Sequence, residues 1–486
     1  MARKKTPPAP PAPPPKLTFN PYARALADAV RTAHGEGSAD TLDRSEDLGE
    51  PRCWMDWGNV AFRRVITKDF PLGRIVEFTG DENVGKSTAA DELLASVQRC
   101  QGGLGVLADV ERARERAYMF DLGIQPTGLI WVRARTAEAI FDEVETICRM
   151  AAHYSNKGWV DALARAGVKV GKVNTEVYEV FDPRDNSPRR KATFKMALVQ
   201  WDPQCRAALV TYQRANGLSP TGVRDGPTAA KLRPVVIHPP QDPDVDQATW
   251  EKEALYHWAN EIPDPRCQPA DSPIVMVWDS LGMTATEAEL KGAARDSHPA
   301  TAARVIGQNV RRLVQFMDDA AVALVCTNQE YEVLEMGGPP RKGRGPKKTT
   351  YGGKKWKHAK SIQLHLRRGR DIYRNSSAKD NGEPPIGHEV YAKGVKNRFG
   401  ARGREAMYGL IYNRGAVDAY TIFMDLRTRG IIRTAGAWST FVDPTVLPSC
   451  GLEHKNWQKG WVGFEELMDD NPDLATLVRK LYLEGY

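Results

Sequence analysis

The sequence predicts an α/β fold: a mainly parallel, twisted sheet with helices on both faces. An N-terminal helix, an inserted small module and a small C-terminal domain complete it. Three observations carry this. Apolar runs alternate with segments of helical period, a Gly-rich turn closes the first run, and one long stretch, residues 155–271, breaks the alternation. Strands that are apolar throughout are buried on both faces, which a helix-covered parallel sheet provides.

In chain order, residues 1–19 contain PPAPPAPPP, an extended polyproline tether that cannot form a core. Asn20-Pro21 then starts a helix: Asn caps, and Pro fits a first turn whose N–H is unpaired anyway. YARALADAVRTAH follows, with Leu26 and Val30 on one face, and this helix with its linker extends to residue 58. The sheet is assigned to 59–154 and 272–425. RIVEF is its first strand, and KSTAADELLASVQRC follows the turn as a helix. LGVLAD is a strand, ERARERAYMFDLG a polar helix, LIWVRA a strand and TAEAIFDEVETICRMAAHY a helix. PIVMVWD and AVALVCT are further strands, with TAARVIGQNVRRLVQFMDD between them. The insertion is rich in Pro, Asp, Lys and Arg. Its YQRANGLSPTGVRDGPTAAKL, residues 212–232, is similar to the repeat of peptidoglycan-binding-like helical modules, over about twenty residues. It reads as a small helical unit near 205–235, with no cell-wall binding implied.

A chain of 486 residues exceeds one simple core. No apolar run is long enough to span a bilayer, and the basic N-terminus lacks a hydrophobic stretch, so membrane and secretory classes drop out. Seven singly spaced cysteines without a CxxC pair point to reduced thiols in a cytoplasmic setting and to no zinc site. The net charge of +7 points to a polyanion partner. PPRKGRGPKKTTYGGKKWKH, residues 339–358, holds eight Lys/Arg and no acid, as either a solvated loop or a nucleic-acid contact.

GDENVGKST carries the chemistry. Gly80-Asp81-Glu82-Asn83-Val84-Gly85-Lys86-Ser87-Thr88 matches the P-loop pattern, with a strand before it and a helix after it. The glycines let successive N–H groups face phosphate oxygens, and the following helix adds its positive end. Lys86 neutralises the β and γ phosphates of ATP, and the Ser87 hydroxyl ligates Mg²⁺. Asp279, closing PIVMVWD, is the second acid on the magnesium side and acts through a water on the ion. Activating the attacking water needs another carboxylate; spacing leaves Asp109 and Glu111 both open.

These motifs resemble the RecA-type homologous recombinases. LGRIVEFTGDENVGKST is similar to that family's P-loop, and ADVERARERAYMFDLGI to its next strand and helix. The resemblance continues through VMVWDSLGMTATEAELKGAARDSHPATAARVIGQNVRRL, CTNQ, YGGKKWKHAKSIQLHLRR and GVKNRFGARGREAMYGLIYNRG. AGAWSTF and DDNPDLATLVRKLY are similar to the small C-terminal domain, here 426–486. The resemblance implies Glu111 as the catalytic glutamate, Tyr118 as the aromatic stacked on adenine and Gln329 as the γ-phosphate sensor. It implies Lys396 and Arg398 as cations that reach a neighbour's ATP; Arg398 departs from the usual lysine. The N-terminal helix would pack on the adjacent subunit, making an open helical homo-oligomer.

The implied activity is ATP-dependent filament assembly on single-stranded DNA, then pairing and strand exchange with double-stranded DNA. The first DNA-binding loop, ELKGAARD, offers Lys291 and Arg295. The second follows Gln329 and offers Arg341, Lys342, Arg344, Lys347, Lys348, Lys354 and Lys355, with contacts to phosphates. It lacks the family's usual wedge phenylalanine, leaving Leu334, Met336 and Tyr351 as substitutes. The polyproline leader, the insertion and the lack of a long acidic tail mark a divergent member. A ring-forming helicase or motor on the same core would lack the VKNR and C-terminal matches, and a non-enzymatic relative would lack Lys86, Glu111 or Asp279.

Overall fold

The computed structural model describes residues 51–485, apart from 52, 101, 182–191, 221, 223, 225, 239, 241–243, 262–266, 293–298, 333–347, 375 and 453–455. The tether, the helix expected at 21–35, Arg295, Arg341, Lys342, Arg344, Lys347, Leu334 and Met336 lie outside the described residues.

Nine strands of the described residues form the central sheet. They are β1 (Ile75–Gly80), β2 (Leu104–Asp109), β3 (Leu129–Val132), β4 (Ile274–Asp279), β5 (Val322–Asn328), β6 (Ile362–Ile372), β7 (Gly387–Asn397), β8 (Glu405–Ile411) and β9 (Gly415–Val417). The spatial order is β9-β8-β7-β6-β1-β5-β4-β2-β3. Strands β3 to β6 along that order are parallel, and β7, β8 and β9 continue antiparallel. The flanking helices are α1 (Val60–Ile66), α2 (Lys86–Gln98), α3 (Arg116–Asp121), α4 (Ala137–Arg165), α5 (Pro299–Asp319), α6 (Gly353–Ala359) and α7 (Asp418–Thr428).

The two-residue strand period builds both faces. Val275 and Val277 of β4 join Leu93 and Leu94 of α2 in one cluster. Ile274, Met276 and Trp278 join Val144 of α4 and Val310 of α5 in the other. A fully buried aliphatic side chain contributes about 1.5–3 kcal/mol, so both faces reward burial and the sheet is central by necessity. Helix starts follow capping chemistry: Asn59 accepts from the Ala61 N–H at 2.9 Å and Thr136 from the Ala139 N–H at 3.2 Å.

The polar helix expected from Glu111 is shorter. Only Arg116–Asp121 is helical, and residues 110–115 leave β2 as an irregular turn. Helical periodicity loses there because Arg114 is drawn inward: its backbone N–H donates to Asp109 and its guanidinium to Asp91 and Asp279.

Helix α4 runs to Arg165, beyond the last residue of its apolar sheet-facing pattern. The following segment is more regular than its composition indicates. Thr175–Phe181 pairs antiparallel with Ala192–Val199, and Val235–Ile237 with Cys267–Pro269. Helices Pro203–Ala215, Gly226–Leu232 and Gln247–Ala259 complete it. It has its own core around Trp159, Leu163, Leu209 and Tyr212. Towards the C-terminus, α7, a three-stranded sheet and helices Trp461–Asp470 and Pro472–Leu483 enclose Phe423, Leu426, Phe464 and Val478. Arg64 of α1 ties this unit to the core, donating to Asp425 at 2.6 Å and lying 4.3 Å from the Tyr482 ring centroid.

Candidate nucleotide site

The Gly-rich turn connects β1 to α2 at the carboxyl edge of the parallel strands, where open α/β sheets place ligands. Its glycines are required sterically. Gly80 has φ +145°, and a Cβ there would lie 2.2 Å from the Leu366 carbonyl oxygen; at Gly85, φ +94°, it would lie 2.5 Å from Leu410. Asp81, Glu82 and Asn83 are exposed and Val84 is buried, so the loop is pinned at one apolar point beneath a polar rim. Asn83, with φ +56°, completes the left-handed curl.

Lys86 opens α2 and folds back across the loop, donating to the carbonyls of Gly80 (2.9 Å) and Asp81 (2.6 Å). Burial pushes its ammonium below the ordinary lysine pKa, against the pull of Asp279, Glu111 and Asp81. Ser87 Oγ donates to Asp279 Oδ2 at 2.5 Å, so the two residues expected at a metal meet. They are hard oxygen donors of the kind Mg²⁺ takes. Thr88 Oγ1 and the Tyr118 hydroxyl lie 3.1 Å apart, which sets the Tyr118 ring beside the loop. Glu111 Oε1 accepts from Ser280 Oγ at 2.5 Å, placing that carboxylate one residue from Asp279. Asp109 instead points under the surface, its side chain 1% exposed and 3.6 Å from Arg114. The geometry therefore separates the two carboxylates that spacing left open: Glu111 is at the surface, and Asp109 is a buried counterion.

Several site residues carried no sequence signal. Arg114 is 4% exposed and contacts three carboxylates: Asp91 at 2.8 Å, Asp279 at 2.7 Å and Asp109 at 3.6 Å. Burial disfavours its charge, but the carboxylates outweigh this and hold the guanidinium above its ordinary pKa. Burial pushes Asp91 up to about 6, against Arg114. Thr327 donates to Asp279 Oδ1. Within ERARER nothing distinguishes Arg114 from its neighbours; only the third dimension brings the acids around it.

Gln329 follows β5 and is half-buried. Its neighbour Asn328 donates to Glu77 at 2.9 Å and to the Tyr351 carbonyl at 3.1 Å. Glu77, fully buried in β1, also accepts from Trp356 at 2.6 Å and from Lys360. A buried charge needs such partners, and this ion pair fixes residues 356–360 to the strand that leads into the loop.

Lys396 and Arg398 are not at the loop. Lys396 pairs in register with Gln363, which pairs with Glu77, whereas Gly80 pairs with Leu366 and, beyond it, Ala392. Four residues of β7 thus separate Lys396 from the level of the loop, about 13 Å at 3.3 Å per residue. Lys396 donates to the carbonyls of Lys357 (2.7 Å), His358 (3.1 Å) and Lys360 (2.5 Å), and Arg398 to that of His358. Burial, with Arg398 and Lys360 close by, pushes Lys396 down to about 8.

Of the DNA-binding candidates, Lys291 ends helix Glu287–Lys291, exposed and 3.1 Å from Glu287. Lys348 begins strand Lys348–Thr350, which pairs antiparallel with Glu330–Glu332. Residues 333–347 therefore connect two strands that rise directly after Gln329. Lys354 and Lys355 are exposed on α6. Tyr351 is half-buried and packs against the core cluster that contains Trp356.

A family model described as the RecA N-terminal domain matches residues 32–155 and 260–417. Protein RecA of Amycolatopsis mediterranei is 27% identical over 207 residues, 42% of this chain and 52% of that protein. Protein RecA of Saccharopolyspora erythraea is 29% identical over 207 residues, covering 42% and 53%. Protein RecA of Salinispora arenicola is 27% identical over 227 residues, covering 46% and 58%. The chain spans about half the length of the curated relatives it matches.

Proposed function

This chain belongs to the RecA N-terminal domain family, and on that premise we propose that it is a DNA-dependent ATPase that assembles filaments on single-stranded DNA and exchanges strands with a homologous duplex. The observation that carries the reading is the meeting of Ser87, Asp279 and Glu111 at the carboxyl ends of neighbouring parallel strands.

ATP binds with its phosphates on the backbone N–H groups of residues 81–87, and Lys86 leaves the Gly80 and Asp81 carbonyls to meet the β and γ phosphates. Ser87 and Asp279 would hold Mg²⁺, which would supply charge neutralisation at the phosphates. Arg114 and Thr327 fix the Asp279 carboxylate. Glu111 accepts the proton of the water attacking the γ phosphorus, and Ser280 holds its carboxylate in place. Tyr118 supports the adenine. Gln329 meets the γ phosphate and passes its presence to the strand pair that brackets the basic loop.

Lys396 and Arg398, held at the far end of the sheet, serve the ATP of an adjoining protomer, as a head-to-tail filament requires. Single-stranded DNA lies against the loops at 289–296 and 333–358, whose Lys and Arg residues contact phosphates. ATP hydrolysis measured with and without single-stranded DNA tests this. Stimulation by DNA is expected; turnover indifferent to DNA overturns it.

A further inference from the structure

Glu330 directly follows Gln329 and reaches a histidine on another strand. Its Oε1 lies 3.0 Å from Nδ1 of His365 in β6. An ionised carboxylate only accepts, so the imidazole donates. Both side chains are largely withdrawn from solvent, His365 27% and Glu330 13% exposed. Strands β5 and β6 flank β1, where Asn328 and His365 pair with Thr79 from opposite sides. Two strands with a third between them stand about 9.5 Å apart. The contact therefore crosses the line of β1, where that strand ends at Gly80 and turns into the phosphate loop. Thr79 Oγ1, fully buried, lies 3.5 Å from the same imidazole nitrogen.

Strand alternation explains which face each residue uses. Leu364 and Leu366 enter one core cluster, so His365 between them faces the other side, with Thr79 and Glu77. Thr327 turns to Asp279, and Asn328 turns to Glu77 on the reverse face. The same alternation aims Gln329 at the phosphate loop and Glu330 at His365. The residues on both sides of Gln329 are thus anchored behind it: Asn328 by Glu77 and the Tyr351 carbonyl, Glu330 by His365. Glu330 also opens the strand Glu330–Glu332, whose pairing with Lys348–Thr350 brackets the basic segment.

We propose that His365 is a positioning residue that couples nucleotide to DNA. It holds Glu330 in a clasp across the entry to the phosphate loop. The clasp keeps Gln329 aimed at the γ phosphate and hands any displacement of Gln329 to the strand pair at the base of the basic segment. His365 acts through Glu330 and not on ATP itself. The proposal rests on the sensing and DNA-binding reading above and adds the residue that links the two. Without the clasp, residues 329–332 move independently of β6; nucleotide still binds, but its presence no longer reaches the DNA contacts.

The test is anisotropy of a labelled oligothymidine with the full-length protein, once with a non-hydrolysable ATP analogue and once with ADP, and it reads the ratio of the two affinities. His365→Ala and Glu330→Ala each lower that ratio about tenfold. The double variant lowers it no further, because both substitutions remove one contact. His365→Asn keeps an N–H near the position of Nδ1 and restores most of the ratio. Affinity for a fluorescent ATP analogue without DNA stays at the wild-type value throughout. A wild-type ratio in His365→Ala, or losses that add in the double variant, overturns the proposal. Equal loss of DNA affinity with both nucleotides assigns the pair to folding alone and also overturns it, as does weakened binding of the ATP analogue without DNA. Glu330→Ala removes the same contact from the other side and carries the test if His365→Ala does not fold. A wild-type protein whose DNA affinity ignores the nucleotide removes the sensing reading and the clasp together.

Discussion

The two ends of the central sheet are built from opposite charges. At the carboxyl end, Asp91, Asp109, Glu111 and Asp279 surround Arg114 and the loop lysine. At the other end, Lys360, Lys396 and Arg398 gather around a single buried acid, Glu77, and a row of backbone carbonyls. The first end carries the residues proposed to meet metal and triphosphate; at the other, the cations are satisfied by Glu77 and by backbone carbonyls. A single chain cannot join them, because strand geometry keeps them about 13 Å apart along β7. On the function proposed above, each protomer carries two half-sites and a neighbour is part of the chemistry.

Four experiments break or sharpen this comparison. Lys86→Ala removes the phosphate-facing cation of the carboxyl end and should lower ATP turnover by roughly 10³-fold or more, with the melting temperature retained; normal turnover would remove the loop from the reaction. Glu111→Gln should slow hydrolysis roughly 10²- to 10⁴-fold while nucleotide binding persists, so assembled filaments accumulate; fast hydrolysis hands the base role elsewhere.

The third experiment addresses the far end. Lys396→Ala with Arg398→Ala should lose most DNA-stimulated turnover, by about 10³-fold, the lower end of the scale of in-trans cations. Mixing that variant with Lys86→Ala should restore part of it, because a protomer with an intact loop then meets a neighbour with intact cations. No recovery on mixing means that the two ends do not cooperate across subunits.

The smallest effect is on stability and serves as a control. Glu92 of α2 is buried, accepts from the Ala416 N–H, and is pushed by burial to about 8. The folded state therefore holds it protonated while the unfolded chain ionises near the ordinary glutamate value. Its stabilisation is complete below that ordinary value, falls as pH rises and is gone above about 8. Glu92→Gln should leave stability unchanged in acid and raise it by a few kcal/mol by pH 8. Parallel melting curves for both proteins at every pH would exclude it.

Much of the fold was legible because burial on both faces leaves a plain record. RIVEF, LGVLAD, PIVMVWD and AVALVCT each became a parallel strand within two residues of their apolar limits. The loop was legible because φ of +94° at Gly85, and φ of +145° with a close backbone approach at Gly80, admit little else. What failed was helical continuity through Glu111–Glu115, where one arginine's buried ion pairs overrode periodicity. The regularity of 175–269 also escaped, since short strands with mixed polarity read like loops. Glu77 with Lys360 was invisible for a further reason: a charge in an apolar run looks like an interruption until its partner, 283 positions away, is found.

The sequence by itself determined the phosphate loop, the order of strands and helices, and which carboxylates could serve a metal or a water, because these depend on local backbone sterics and on residue type at fixed spacing. Tertiary structure alone decided that Asp109 is buried while Glu111 faces out, that Arg114 binds three acids, and that Lys396 and Arg398 stand at the wrong end of the sheet for their own loop. Those outcomes depend on distances between strands far apart in the chain, and a Coulomb or hydrogen-bond energy has no value until such distances are set.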